Sequence, residues 1–303
     1  MLMSTVERYL AVRRSVGFKL DSVGKNLKRF ALFAVHRGES HVVATTAIEW
    51  ASQARSERAR HDRLNQVILF ARFMRAEDDR HEVPPDGVFC GIKRRPTPYI
   101  FTEEETKKLV VEADRLSPPG PLRAETYSTL FGLLVVTGLR ISEALKLRIG
   151  DLTDDGLVIR DGKFRKGRLV PLHETASVAL RRYLAKRRKI AGDDDHLFVS
   201  RRRGRLRISI VTTTFHNVLK AAGIPADSNQ RRPRLMDLRH TFAVRALEKC
   251  PDGCERVGRH MLALSTYMGH ARVEDTYWYL ESTPELLSDI AMAAEALVHG
   301  GTP

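Results

Sequence analysis

The sequence predicts a mainly α-helical chain carrying one small antiparallel β-sheet, an α+β arrangement in two domains. Three observations lead there. Apolar residues recur at helical spacing before residue 80 and again after residue 100, the mark of helices with one buried face. One stretch, 156–172, switches to strand character: Leu157-Val158-Ile159 and Leu169-Val170 flank a turn rich in glycine and lysine, which reads as a hairpin. Between the halves, residues 84–98 hold Pro84, Pro85, Gly87, Gly91, Pro96 and Pro98, a density of breakers that separates folded units. The order helix, hairpin, helix argues against a wound parallel sheet, whose strands alternate with helices throughout.

The elements follow in order. Residues 1–83 form a helical domain. Leu27, Phe30, Ala31 and Ala34 share one helix face, and Leu64, Val67, Ile68, Ala71 and Met74 share another, because residues three or four apart stack on the same side. Between these apolar positions lie Arg13, Arg14, Lys19, Lys25, Lys28, Arg29, Arg55, Arg58, Arg60 and Arg63. They read either as a basic binding face or as an ordinary solvated face. Residues 84–100 form a linker whose Lys93, Arg94 and Arg95 suit a phosphate backbone. The second domain, 101–303, opens at Thr102-Glu103-Glu104-Glu105, where threonine and the glutamate three residues on can exchange side-chain-to-backbone hydrogen bonds and start a helix. Tyr127 to Leu147 is apolar, with Leu130, Leu133, Leu134 and Leu145 buried in two segments that meet at a bend at Thr137-Gly138. The hairpin follows, and helices resume from about residue 174. A final helix, 284–298, opens within Ser282-Thr283-Pro284-Glu285, a helix-start signature. Leu286, Ile290, Ala293 and Leu297 line one face of it.

Composition narrows the function. Lysine plus arginine number 51 against 37 acids, a formal charge of +14. That excess fits a protein that neutralises phosphates, and also fits a merely basic enzyme. No apolar run reaches the about 18 residues that a membrane span needs, and Met-Leu-Met-Ser-Thr-Val-Glu-Arg lacks the apolar core of a signal peptide. The chain is expected to be cytoplasmic, associated with the nucleoid when bound to DNA. Its 3 cysteines make no disulfide framework. Cys250 and Cys254 flank Pro-Asp-Gly with His260 nearby, a spacing that reads as a surface turn rather than a zinc site. No metal and no cofactor is expected.

Against that background, five residues stand out: Arg140 in Thr-Gly-Leu-Arg-Ile-Ser-Glu-Ala-Leu, Lys163 ahead of Arg-Leu-Val-Pro-Leu, Arg239 in Asp-Leu-Arg-His-Thr-Phe-Ala, His270 in Tyr-Met-Gly-His, and Tyr279. Cutting DNA without a metal requires a nucleophile, charge stabilisation for a phosphorane-like transition state, and an acid for the leaving oxygen. Tyrosine supplies the nucleophile, and arginine's planar, permanently charged fork matches the phosphate. Lysine or histidine supplies the proton. Each residue also has a plainer reading. Arg140 beside Glu143 and Arg239 beside Asp237 read as ion pairs. Lys163 reads as an exposed lysine, His270 as a helix-end residue, and Tyr279, near Tyr277 and Trp278, as a core aromatic.

Taken together, their order and spacing resemble the tyrosine recombinase (phage integrase) family over most of the chain. The resemblance rests on Arg140 with Glu143 and Leu147, Lys163 before Pro171, Arg239 in its Asp-Leu-Arg-His-Thr-Phe-Ala setting, and Met268-Gly269-His270 followed by Tyr279. It implies that 1–83 is a core-binding (SAM-like) DNA-clamping domain and 101–303 an integrase-type catalytic domain. Arg140 and Arg239 would clamp the scissile phosphate, Lys163 would protonate the leaving 5′ hydroxyl, His270 would hydrogen-bond a phosphate oxygen, and Tyr279 would attack to leave a 3′ phosphotyrosine. The partner is double-stranded DNA with a specific recombination site. The protein would assemble on it as a homo- or hetero-tetramer, mostly monomeric when free. Ser265-Thr266-Tyr267-Met268-Gly269-His270 and Tyr277-Trp278-Tyr279-Leu280 look similar to transposon-borne members that act with sister recombinases.

Two positions depart from the family pattern. Met236 occupies the place, three residues before the second arginine, where a histidine or lysine is usual, and a thioether donates no proton. Phe164 follows Lys163 where glycine is common, leaving Gly167 to make the turn. Met236 opens a second reading, an accessory DNA-binding subunit of a multi-recombinase set. A type IB topoisomerase-like enzyme shares the chemistry without a defined site. An RNA-binding module explains the charge but not the five spaced residues.

Overall fold

The computed structural model describes residues 2–91, 97–117, 122–160, 167–190, 194–200, 204–226, 232–249, 254–269 and 276. The chain divides into two compact units, Met1–Pro96 and Thr97–Pro303.

Among the described residues, the first unit contains four helices: α1 (Leu2–Ser15), α2 (Asp21–Val35), α3 (Ala44–Ser52) and α4 (Glu57–Arg75). The apolar periodicity sets their packing. Leu27, Phe30, Ala31 and Ala34 of α2 are all buried, as are Leu64, Val67, Ile68, Ala71 and Met74 of α4. Aromatic edges lock the core: Tyr9 meets Phe70 with ring centroids 5.4 Å apart, and Phe30 meets Trp50 at 5.5 Å, a geometry that places positive ring edge on negative ring face. Ser56 starts α4 by accepting the Ala59 N–H at 3.2 Å, which satisfies one otherwise orphaned donor.

The basic residues of this unit fall into two groups. Arg58 pairs with Asp62 at 2.9 Å and donates to the Gly91 carbonyl, Arg60 donates to the Ala54 carbonyl, and the Arg63 guanidinium lies 5.1 Å above the Trp50 ring. These side chains are part of the packing. Arg14, Lys19, Lys25, Arg29 and Arg55 are exposed.

The second unit contains α5 (Glu103–Asp114), α6 (Arg123–Thr137), the one-turn α7 (Ile141–Ala144), a 3-10 turn at Ile149–Asp151, strands β1 (Leu152–Thr153), β2 (Gly156–Ile159) and β3 (Arg168–Val170), then α8 (Glu174–Ile190), α9 (Ile208–Ala221), α10 (Leu235–Glu248) and α11 (Cys254–Met268). Helix α6 is the hub, lying against α5, α8 and α10. The expected capping box is present at α5: Thr102 Oγ1 accepts the Glu105 N–H at 3.1 Å and the Glu105 carboxylate accepts the Thr102 N–H at 2.8 Å. Phe101 ties the start of this unit to α10, donating its N–H to Thr241 Oγ1 at 3.0 Å and accepting from Arg245 at 2.8 Å.

The expected hairpin is β2–β3, antiparallel, with Leu157 opposite Val170 and Ile159 opposite Arg168. Leu157, Ile159 and Val170 are buried, so period-2 alternation aims this face at the core. Strand β1 extends the sheet in the order β1-β2-β3; at 2 residues it is too short to leave a periodicity in the sequence. The expected bend is at Gly138, whose φ of 59° ends α6 while its N–H returns to the Leu134 carbonyl at 3.0 Å. A β-carbon there would stand 2.5 Å from the Phe242 ring, so glycine is required both for the left-handed backbone and for space. Among the described residues, no helix is long and apolar enough to cross a membrane.

Candidate active site

Four segments of the second unit meet at the C-terminal end of α11. The first is the turn after α6, which leads from Gly138 into Arg140 at the start of α7. Glu143, three residues on, accepts the Arg140 backbone N–H at 3.2 Å and its guanidinium at 2.8 Å. The same device recurs where Asp151 accepts the Arg148 N–H at 2.9 Å and Asp237 accepts the Arg234 N–H at 2.7 Å. An acid three residues into a helix satisfies a donor that the helix cannot.

The second segment is α10. The sequence offers Asp237 as an ion-pair partner for Arg239, but its carboxylate is committed to the start of the helix, where it also accepts the Arg234 guanidinium at 2.9 Å. Arg239, only 3% exposed, donates to two main-chain carbonyls, Gly138 at 2.7 Å and Met268 at 2.6 Å. The third segment is β3, from which Arg168 reaches Glu143 with two bonds, 3.1 Å to Oε1 and 2.8 Å to Oε2, and donates Nε–H to the Tyr267 carbonyl at 2.8 Å.

The fourth segment is the end of α11 itself. Its last carbonyls have no partner within the helix and carry the negative end of the helix dipole. Three consecutive ones are each taken by a different arginine: Tyr267 by Arg168, Met268 by Arg239, and Gly269 by Arg140 at 3.1 Å. Gly269 has φ 64°, and a β-carbon there would lie 2.9 Å from the Arg168 guanidinium. His270 comes next in the chain.

The charges are strongly coupled. Burial opposes ionisation of Glu143, but the hydrogen bonds and charge of Arg168, and then those of Arg140, overcome it and lower its pKa to about 2. Burial raises the Tyr267 hydroxyl, against the opposing charges of Arg168 and Arg239. Tyr267 stacks on Phe242 with ring centroids 5.4 Å apart.

The structure thus brings two of the five sequence-derived residues, Arg140 and Arg239, to neighbouring main-chain anchors. Lys163, His270 and Tyr279 lie outside the described residues, as do Lys93, Arg94, Arg95, Cys250 and the 284–298 helix. Met236 is exposed on α10. Sequence reasoning missed Arg168. A signal was available: Arg168 and Val170 are two apart on one strand and therefore face the same way, so a buried Val170 implies an inward-pointing arginine. Among the described residues, Asp194, Asp195 and His196 are close enough together to share a cation, but Asp194 already accepts from His196 and Asp195 already pairs with Arg148.

Guanidiniums anchored on neighbouring carbonyls suit a tetrahedral oxyanion. Residues 100–285 match the Phage integrase family. "Putative integrase/recombinase y4rB" of Sinorhizobium fredii (strain NBRC 101917 / NGR234) is 36% identical over 296 residues, 94% of each chain. Tyrosine recombinase XerD of Brucella abortus biovar 1 (strain 9-941) is 27% identical over 293 residues, covering 94% of this chain and 88% of the relative. The crystal structure of the XerH site-specific recombinase bound to a palindromic difH substrate, a post-cleavage complex, superposes with a TM-score of 0.68 at 18% identity, covering 91% of this chain and 80% of that one. At that identity it establishes the fold. With more than half its length matched by the family and a relative above 30% identity along nearly all of it, the chain belongs to the phage integrase family of tyrosine recombinases.

Proposed function

We propose that the protein is a site-specific DNA recombinase that cuts and rejoins strands through a 3′-phosphotyrosine intermediate, serving integration, excision or transposition. The observation that carries this reading is the anchoring of Arg140 and Arg239 to the adjacent carbonyls of Gly269 and Met268, immediately before His270. In the proposed first step Tyr279 loses its phenolic proton to solvent and its oxygen forms a bond to phosphorus while the bond from phosphorus to the 5′ oxygen breaks. Lys163 gives that oxygen its proton. Arg140 and Arg239 hold the non-bridging oxygens as negative charge grows on them, and His270 adds a hydrogen bond. A 5′ hydroxyl from another strand then attacks the phosphotyrosine and releases Tyr279. Because bond energy is conserved, the chemistry needs no cofactor. The basic linker residues Lys93, Arg94 and Arg95 follow the DNA backbone, residues 1–83 clamp the duplex, and four protomers, identical or from sister recombinases, assemble on two sites.

One observation favours a second reading, a catalytically weak accessory subunit: Met236, at the position where the family usually carries a histidine, has a side chain that carries no proton. Losing one member of a transition-state set slows the chemistry rather than abolishing it, so the first reading is preferred. The test is a nicked suicide duplex containing the sequence that the protein itself selects from a randomised pool. The expected result is a denaturation-resistant protein–DNA adduct that disappears with Tyr279→Phe. Tight binding with no adduct, in wild type as well, would overturn independent catalysis and favour the accessory subunit.

A further inference from the structure

We infer that Arg168 is a positioning residue for the phosphate site: it absorbs half of Glu143's attention and fixes the end of α11, leaving the positive charge of Arg140 to the phosphate. This deepens the proposed function and rests on Arg140 and Arg239 being the phosphate clamp.

The argument begins with a conflict. Glu143 is needed to fix Arg140, since it holds both the backbone N–H and the guanidinium. Yet a carboxylate bonded to a guanidinium cancels the charge that a phosphate would meet. Glu143 is nearly sealed from solvent, its side chain 4% exposed, so water screens it poorly. Taken alone, Arg140 and Glu143 sum to zero. Arg168 changes the sum. It covers both carboxylate oxygens with a two-pronged contact, the strongest geometry that an arginine offers a carboxylate. Two guanidiniums and one carboxylate then leave a net charge of one positive unit.

Arg168 is also built in rather than incidental. Its side chain is 13% exposed, Nε–H is held by the Tyr267 carbonyl, and Gly269 provides the space that a β-carbon would take from it. The low pKa of Glu143 means that protonation does not relieve the cluster at neutral pH. Arg168 therefore joins two tasks: it keeps Glu143 from neutralising Arg140, and it holds the helix end that also anchors Arg140 and Arg239.

The electrostatic role can be separated from simple support of the fold by changing the charge of the substrate. The experiment compares wild type, Arg168→Met, Arg168→Lys and the double variant Glu143→Gln/Arg168→Met in single-turnover cleavage of the selected suicide duplex. The duplex carries either an ordinary phosphodiester or a methylphosphonate at the scissile position. The methylphosphonate bears no negative charge there and so gains little from the extra positive unit. Arg168→Met is expected to cleave the diester at least about tenfold more slowly than wild type, and the methylphosphonate at close to the wild-type rate. The fraction of correctly folded protein cancels in the ratio of the two substrates, so a variant that folds poorly still gives an answer. Arg168→Lys retains the charge and should lose less on the diester than Arg168→Met. The double variant, which removes the carboxylate as well, should recover part of the diester rate. Equal losses on the two substrates would show a purely structural role and overturn the inference, as would an undiminished diester rate. A wild-type protein that binds but forms no adduct on the diester would sink the recombinase mechanism and this inference with it, a result distinct from active wild type with substrate-blind variants.

Discussion

At the scale of single residues, the site is built from arginines whose partners differ in kind. Arg239 uses main-chain carbonyls on both sides, Gly138 and Met268, so its position depends on backbone geometry rather than on another side chain. A lysine presents one point charge and cannot span two carbonyls in a plane. Arg239→Lys should therefore lower single-turnover cleavage by about a hundredfold or more, while site binding measured by mobility shift falls much less. Glu143 predicts a pH effect. Its folded pKa of about 2 lies below its ordinary value of 4.5, so its contribution to stability is complete above pH 4.5 and is lost as the pH falls toward 2. The shift corresponds to a few kcal/mol at most, about 3. Glu143→Gln should flatten the acid limb of a urea-midpoint titration between about pH 5 and 2, and lower stability at neutral pH. An unchanged acid limb would mean that other carboxylates control it.

At the scale of elements, the turn from α6 into α7 has the least freedom. Gly138→Ala forces a β-carbon into the left-handed region and against the Phe242 ring at 2.5 Å, and the same change displaces the carbonyl that holds Arg239. A loss of about 2 kcal/mol or more is expected, read as a drop in melting temperature together with slower cleavage. The elements themselves were largely legible in the sequence. The bend at Gly138, the capping box at Thr102 and the β2–β3 pairing each have a local cause written in neighbouring residues. What was not legible is non-local. That Arg168 serves Glu143 and that Arg239 reaches Gly138 are pairings set by how β3 and α10 pack against the turn from α6 into α7, and no spacing in the sequence encodes them. Motif reading found Arg140 and Arg239 because they lie in recognisable strings, and it passed over Arg168 because Arg-Leu-Val-Pro-Leu served to mark a strand and to locate Lys163.

At the scale of the whole molecule, the charge of +14 is not one uniform resource. In the first unit, Lys25 and Arg29 are exposed and one helical turn apart on α2, whereas Arg63 is spread over Trp50. Replacing Lys25 and Arg29 together by alanine should weaken DNA binding at every sequence about equally and reduce the slope of log affinity against log salt by about 1 to 2. Arg63→Ala should instead lower the melting temperature and leave the salt slope nearly unchanged. Fluorescence anisotropy across a salt series, paired with thermal melts, separates the two.

The three carbonyls at the end of α11 also bear on the order in which the molecule assembles. Their acceptors are consecutive, yet the donors come from positions 140, 168 and 239. Contacts so distant in sequence close large loops and form only once most of the domain is already in place. A nascent or partly folded chain therefore holds no assembled arginine cluster, and the site completes itself as one of the last events of folding.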